Sequence, residues 1–207
     1  MSKQIDKQPY KTEIRAEVQT KAGYIHKVFY DSPIDGLTNS VHAAIATAVV
    51  TTTSITQPDV PRLLTILGTG SGHNPTGNVV INGTDIRGNV IADTITMNSN
   101  TAVAGIKAFA TVTSIDTTGL SGMDANNTVT IGLEDGLGLD RCMSENSVLL
   151  ATLAGVRETT FPTVAYHATD VSQNVVTLNS EPTGTGDIVI WFLTSELTAQ
   201  STIGLPA

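Results

Sequence analysis

From Arg62 onward the chain is a succession of short runs rich in Val, Ile and Thr, each closed by Gly, Asn or Pro, with no recurring helical stretch between them. β-branched side chains crowd the preceding turn of a helix and sit comfortably on a pleated sheet, so this punctuation predicts strands. Reading the runs one by one predicts about eight to ten strands of roughly five to eight residues. Arg62 to Leu67, Asn78 to Thr84 (breaking at Asn82-Gly83), Val90 to Met97, Lys107 to Ile115 and Thr128 to Leu133 carry the pattern most plainly. Phe161 to Tyr166, Asn174 to Leu178 and Asp187 to Leu193 complete it, while Ser147 to Leu153 suits either a strand or one helical turn. Residues 41–50 are equally ambiguous, and the β-branched cluster Thr51 to Ile55 tips them toward extended chain. The expected fold class is all-β: an antiparallel β-sandwich or barrel, with the body at 41–207 and an extended N-terminal arm at 1–40.

Two stretches interrupt the rhythm. Glu134-Asp135-Gly136-Leu137-Gly138-Leu139 reads as a glycine-interrupted loop. Ile188-Val189-Ile190-Trp191-Phe192-Leu193 is nearly unbroken apolar sequence, which demands cover on both faces and belongs in a central strand or a subunit contact.

Charge also divides the chain unevenly, near residue 30. Residues 1–30 hold six Lys or Arg against Asp6, Glu13 and Glu17, a balance of +3, so the net −8 of the whole chain leaves −11 on the remainder. A basic arm on an acidic body is self-complementary and could lie across a neighbouring subunit. Specific nucleic-acid binding is disfavoured, because phosphate contacts need a positive surface that the body lacks. Charged residues make up only 14% of the chain, which suits a protein that hides polar surface in ladders and subunit contacts. With aromatic residues at 4%, the sheets should pack through Val, Ile and Thr, without an aromatic-lined pocket. Cys142 is the single cysteine, so no intrachain disulfide can form. Met1 to Tyr10 is polar throughout and no apolar run has membrane-spanning length, pointing to cytoplasmic synthesis and no membrane partner.

No constellation with catalytic chemistry stands out. The loop Gly68-Thr69-Gly70-Ser71-Gly72 follows a strand, but His73-Asn74-Pro75-Thr76-Gly77 and another strand come next, where phosphate cradling needs a helix N-terminus. His26, His42, His73 and His167 are widely spaced and Cys142 stands apart from them, which gives no metal-ligand pattern. Asp124 with Asn126 and Asn127, and Glu134 with Asp135 and Asp140, are ordinary turn chemistry without the spacing of a calcium loop. Ser71 and Ser121 lack the glycine-flanked elbow of a hydrolase nucleophile. The Asn-x-Thr sequons at Asn82 and Asn126 have meaning only on a secretory route. The expectation is a non-enzyme with no catalytic, cofactor-binding or metal residues.

Pro61-Arg62-Leu63-Leu64-Thr65-Ile66, then Gly77 to Gly88, Ile91 to Thr96 and Val103 to Ile115 resemble a β-domain found in structural proteins of tailed bacteriophages. The likeness covers residues 61–139. It implies a virion component, assembled in the host cytoplasm, whose functional residues are contact surfaces; no catalytic role transfers to Arg87, Lys107 or Phe109. Within that class the reading is a capsid decoration or cement protein bridging major capsid subunits, with a tail-tube or head–tail connector subunit as the alternative. A receptor- or carbohydrate-binding module on a fibre is the third option, set against by the expectation that Trp191 lies inside the most hydrophobic strand. The expected partners are copies of the chain itself, as a homotrimer or ring, and other virion proteins.

Overall fold

A computed structural model of the chain describes residues 24–37, 39–70 and 75–194. Its strands are β1 (Tyr24–Tyr30), β2 (Ser40–Ile45), β3 (Val50–Thr51), β4 (Arg62–Thr69), β5 (Thr76–Thr84), β6 (Val90–Thr96), β7 (Val103–Ala104) and β8 (Thr111–Asp116). They continue as β9 (Leu120–Ser121), β10 (Thr128–Gly138), β11 (Val148–Leu153), β12 (Val156–Arg157), β13 (Thr163–Ala165), β14 (Val175–Thr177) and β15 (Ile188–Thr194). A single 3-10 turn at Val171–Gln173 is the only helical element among the described residues. The fold is therefore all-β, and every strand pairing is antiparallel, in a sandwich- or barrel-like arrangement.

Three sheets carry the chain. One runs β1-β15-β11-β12; a second runs β13-β14-β10-β4-β7, with β2 also on β10; the third runs β3-β8-β5-β6, with β9 on β5. Period-two alternation aims Leu64 and Ile66 of β4, Val79 and Ile81 of β5, and Val129 and Ile131 of β10 into a first core around Phe109 and Ile115. A second core gathers Val28 and Tyr30 of β1, Ile188, Ile190 and Phe192 of β15, Ala151 of β11 and Val176 of β14. Strand β10 serves both cores: Val129, Ile131 and Leu133 lie in the first, Leu137 and the adjoining Leu139 in the second. Its register against β4 shifts between Leu133 and Leu137, so one continuous strand changes layers.

Several sequence expectations change here. Residues 134–139 are not a loop, because β10 runs through Gly138. The glycine there permits close approach: a Cβ on Gly138 would lie 2.5 Å from the Ala108 Cβ, while the Gly138 carbonyl accepts from the buried Tyr30 hydroxyl at 2.6 Å. The strand expected over 107–115 starts only at Thr111, since the Ile106 and Lys107 amides bond the Asp93 carboxylate and the Ala108 amide bonds Ser172. Within β8 the buried residues are Val112 and Ile115, not alternate positions, because a bulge separates the Asn82 and Gly83 pairings. That same bulge leaves β5 unbroken at Asn82-Gly83, where a Cβ on Gly83 would strike the Thr111 carbonyl. The extended run expected over Thr51 to Ile55 ends at Thr51, and Ser54 turns the chain with φ of 57°.

Tyr24–Tyr30 falls in the stretch assigned to the arm, and it pairs with β15 over its full seven residues. Of the remaining arm, residues 1–23 and 38 lie outside the described residues, and Ser40 already begins β2. β15 holds a central place, with β1 on one side and β11 on the other. No helix among the described residues is long and apolar enough to cross a membrane.

Candidate functional site

The side chains that could carry chemistry are tied into the fold one at a time. His26, on the inner side of β1, places Nε2 3.0 Å from both Asp140 carboxylate oxygens and meets Phe192 edge-on, with ring centroids 5.4 Å apart. The Asp140 carbonyl accepts from Arg87 Nε at 2.8 Å, so this loop fastens β1 to the β5–β6 turn. Next to it, burial, with the Asp140 charge adding to it, pushes the Tyr30 phenol far above its usual range. His42 Nδ1 lies 2.6 Å from the neighbouring Ala43 carbonyl. His167 Nδ1 accepts from the Asp170 amide at 2.9 Å and shapes a turn. His73, Ser71 and Gly72 lie outside the described residues. Among the described residues no group of three or more His, Cys, Asp or Glu could hold a metal ion.

The acidic turns resolve in the same way. Asp124 accepts from the Asn126 amide at 2.7 Å and the Asn127 amide at 2.9 Å, closing its own turn. Asp85 does so with the Arg87 and Asn89 amides. Burial raises the Glu134 carboxyl above its ordinary range, and Asp135 accepts from the Gly36 amide at 2.9 Å. Lys107 Nζ lies 3.8 Å from Asp170, Phe109 is wholly buried, and Cys142 is buried. Ser121 pairs across to Thr76, and Asn82 donates from Nδ2 to Ser114 Oγ at 3.0 Å.

Two features escaped the sequence reading. Arg62 is completely buried where the two cores meet, paired with Leu137 across β10 and two residues from Leu64. Its Nη2 donates to the Ile34 carbonyl at 3.1 Å, and its Nε lies 3.3 Å from Asp59 Oδ1, off the direction of a hydrogen bond; Nη1 has no partner. Burial lowers the guanidinium pKa, against the opposing pull of Asp59, Asp135 and Asp35. Arg62 shares its face of β4 with Leu64 and Ile66, but Leu63 and Leu67 are as apolar, so the sequence carried no signal of which way this cation points.

The second is a sheet face. Register sets Lys27, Trp191 and Leu150 in one row, and Phe29, Val189, Thr152 and Arg157 in the next. These are the sides of β1, β15, β11 and β12 that face away from the second core, since Val28, Ile190 and Ala151 form the buried row between them. Ile25 (57% exposed), Phe29 (54%) and Trp191 (36%) remain open to solvent, with Lys27 Nζ 5.5 Å from the Trp191 ring centroid. Trp191 is thus turned outward, contrary to the expectation that it sits inside: in β15 the inward positions are Ile188, Ile190 and Phe192. On the outer side of this strand Val189 and Leu193 are half-buried and Trp191 is exposed, so that side is covered less than the inner one. A surface of this kind is suited to excluding water against another surface and offers no reacting group.

The class of protein that fold and site define is an all-β chain whose distinctive surface is an apolar sheet face. No protein-family model, curated protein or solved structure matches the chain.

Proposed function

We infer that this chain is a non-enzymatic structural protein of a virion, of the kind that decorates or cements a capsid by binding neighbouring subunits. The observation that carries this reading is the apolar outer face of the β1-β15-β11-β12 sheet, a contact surface with Ile25, Phe29 and Trp191 open to solvent. It is supported by the way His26, His167 and Asp124 are committed to hydrogen bonds that hold the fold, His26 to Asp140 across the chain and the other two within their own turns. The basic leader adds charge that an acidic partner surface would attract. A shell under internal pressure gains resistance from binding area spread over many subunits, with no chemistry required.

Two other readings rest on specific features. β1 ends its sheet, and a tail-tube or connector subunit would use such an edge to continue a ring. Exposed Trp191 and Phe29 favour a carbohydrate- or receptor-binding module, although Lys27 lies over the Trp191 ring. The test is quantitative mass spectrometry of particles purified from the source lysate. The expected result is this chain at a fixed ratio to the shell protein; its absence from purified particles, or its presence only with tails, would overturn the capsid reading.

A further inference from the structure

We propose that the outer face of the β1-β15-β11-β12 sheet is the interface of a two-fold symmetric pair, its occupant being the same face of a second copy of this chain. The proposal rests on the structural-protein reading above and deepens it by naming the partner that takes this face, the pair then meeting shell subunits through its remaining surface.

The face combines apolar and charged side chains. Ile25, Phe29, Val189, Trp191 and Leu150 lie on it, and three of them are substantially exposed. Two cations share the surface: Lys27 in the Trp191 row and Arg157 in the Val189 row. At one end, the residues just beyond the last β1–β15 pair are Asp31 and Asp187, both exposed, with Ser32 Oγ donating to Asp187 Oδ1 at 3.2 Å. The face therefore has an apolar middle, cations within it and carboxylates at one border.

That distribution is what a two-fold axis requires. An isologous contact sets a surface against itself turned through half a revolution, so each residue i that meets j is matched by j meeting i. An axis near Phe29 and Val189 would superpose the apolar middles and bring the Lys27 row of one copy over the Asp31–Asp187 border of the other, twice. Two sheets packed this way form a sandwich about 10 Å thick, the ordinary spacing of aligned sheets. A partner with a uniformly acidic surface would match Lys27 and Arg157 but would oppose Asp31 and Asp187. The ring suggested by the sequence drew on the need of residues 187–193 for cover. Within one chain β1 and β11 already flank β15, leaving the outer face as the surface to be covered.

Trp191 is the only tryptophan and lies on the face, so its emission reports the contact directly. The experiment uses the full chain at a series of concentrations, combining light scattering with Trp191 emission and acrylamide quenching. The expected result is a concentration-dependent dimer whose formation shifts the emission to the blue and lowers quenching. Lys27→Glu and Asp187→Lys, each shown by circular dichroism to be folded, should each weaken dimerisation at least about tenfold, because each puts like charges together twice. Mixed one to one, the two variants should dimerise close to the native level, because both cross-contacts then pair opposite charges.

A single chain at all concentrations, variants that assemble like the native protein, or a mixture no better than its components would each overturn the proposal. So would a Trp191 already shielded from acrylamide in the monomer, which would mean cover from within the chain. A dimer from a chain absent from particles would instead sink the virion reading alone, and a particle-bound chain that never pairs would sink only this inference.

Discussion

Replacing Arg62 tests the physical account of how the two cores are joined. Arg62→Ala removes the charge, the hydrogen bond to the Ile34 carbonyl and a long buried stem. Arg62→Met keeps most of the stem and removes only the polar head. Loss of a hydrogen bond from a charged donor costs about 1.5–3 kcal/mol. Emptying a large buried site adds about 2–5 kcal/mol. Part of this is offset, because Nη1 is buried without a partner and no longer has to be desolvated. Asp59 keeps about a quarter of its side chain exposed, so it can be rehydrated when the cation is gone. The expected losses are roughly 4 kcal/mol for Arg62→Ala and roughly 2 kcal/mol for Arg62→Met, the difference being the stem. With a urea slope of about 2 kcal/mol/M, the midpoints fall by about 2 M and 1 M at unchanged slope, read by Trp191 emission. Equal losses for the two variants would refute the stem argument. Losses under about 0.5 kcal/mol for both would refute the claim that Arg62 is a buried pin.

Two further outcomes follow from the same geometry. Gly138→Ala sets a methyl group 2.5 Å from the Ala108 Cβ, on a strand shared by both cores, and should cost about 1–3 kcal/mol in denaturant unfolding. Burial pushes the Asp170 carboxyl upward, but hydrogen bonds from Ser172 and Gln173 and the Lys107 charge outweigh it and hold its pKa below the usual value. A folded pKa below the unfolded one contributes stability that is complete above the unfolded value, near pH 4, and is lost as pH falls through the folded value. Asp170→Asn should therefore flatten the acid limb of a melting-temperature profile below about pH 4, and an unchanged acid limb would count against that pairing.

How much of this was legible in the chain depends on which residues are asked. Val90 to Met97 could be read directly, because alternation names both the strand and the face that buries Ile91, Ile95 and Met97, whereas Arg62 to Leu67 reads as a strand without its buried face, since Leu63 and Leu67 are as apolar as Leu64 and Ile66. Gly136 and Gly138 could not, since a glycine that breaks a strand and one that lets two backbones meet look the same until Ala108 and Val175 are in place. The start of β8 was hidden for a related reason: Asp93 captures the Ile106 and Lys107 amides from a different strand, a non-local competition with no sequence signature. For the candidate face, the apolar run 188–193 announced a strand needing cover but not which side lacked it. That depended on Leu137, Leu139, Met143 and Val176 packing against the side that carries Ile188, Ile190 and Phe192, which leaves Trp191 outward.

The double membership of β10 has a mechanical meaning. The first core cannot be separated from the second by parting one ladder of hydrogen bonds, since a covalent backbone from Thr128 to Gly138 threads both. A pull on the outer sheet that disturbs the second core is passed along that backbone into the first. Load applied to β15 is therefore expected to unfold both packed regions in one cooperative step.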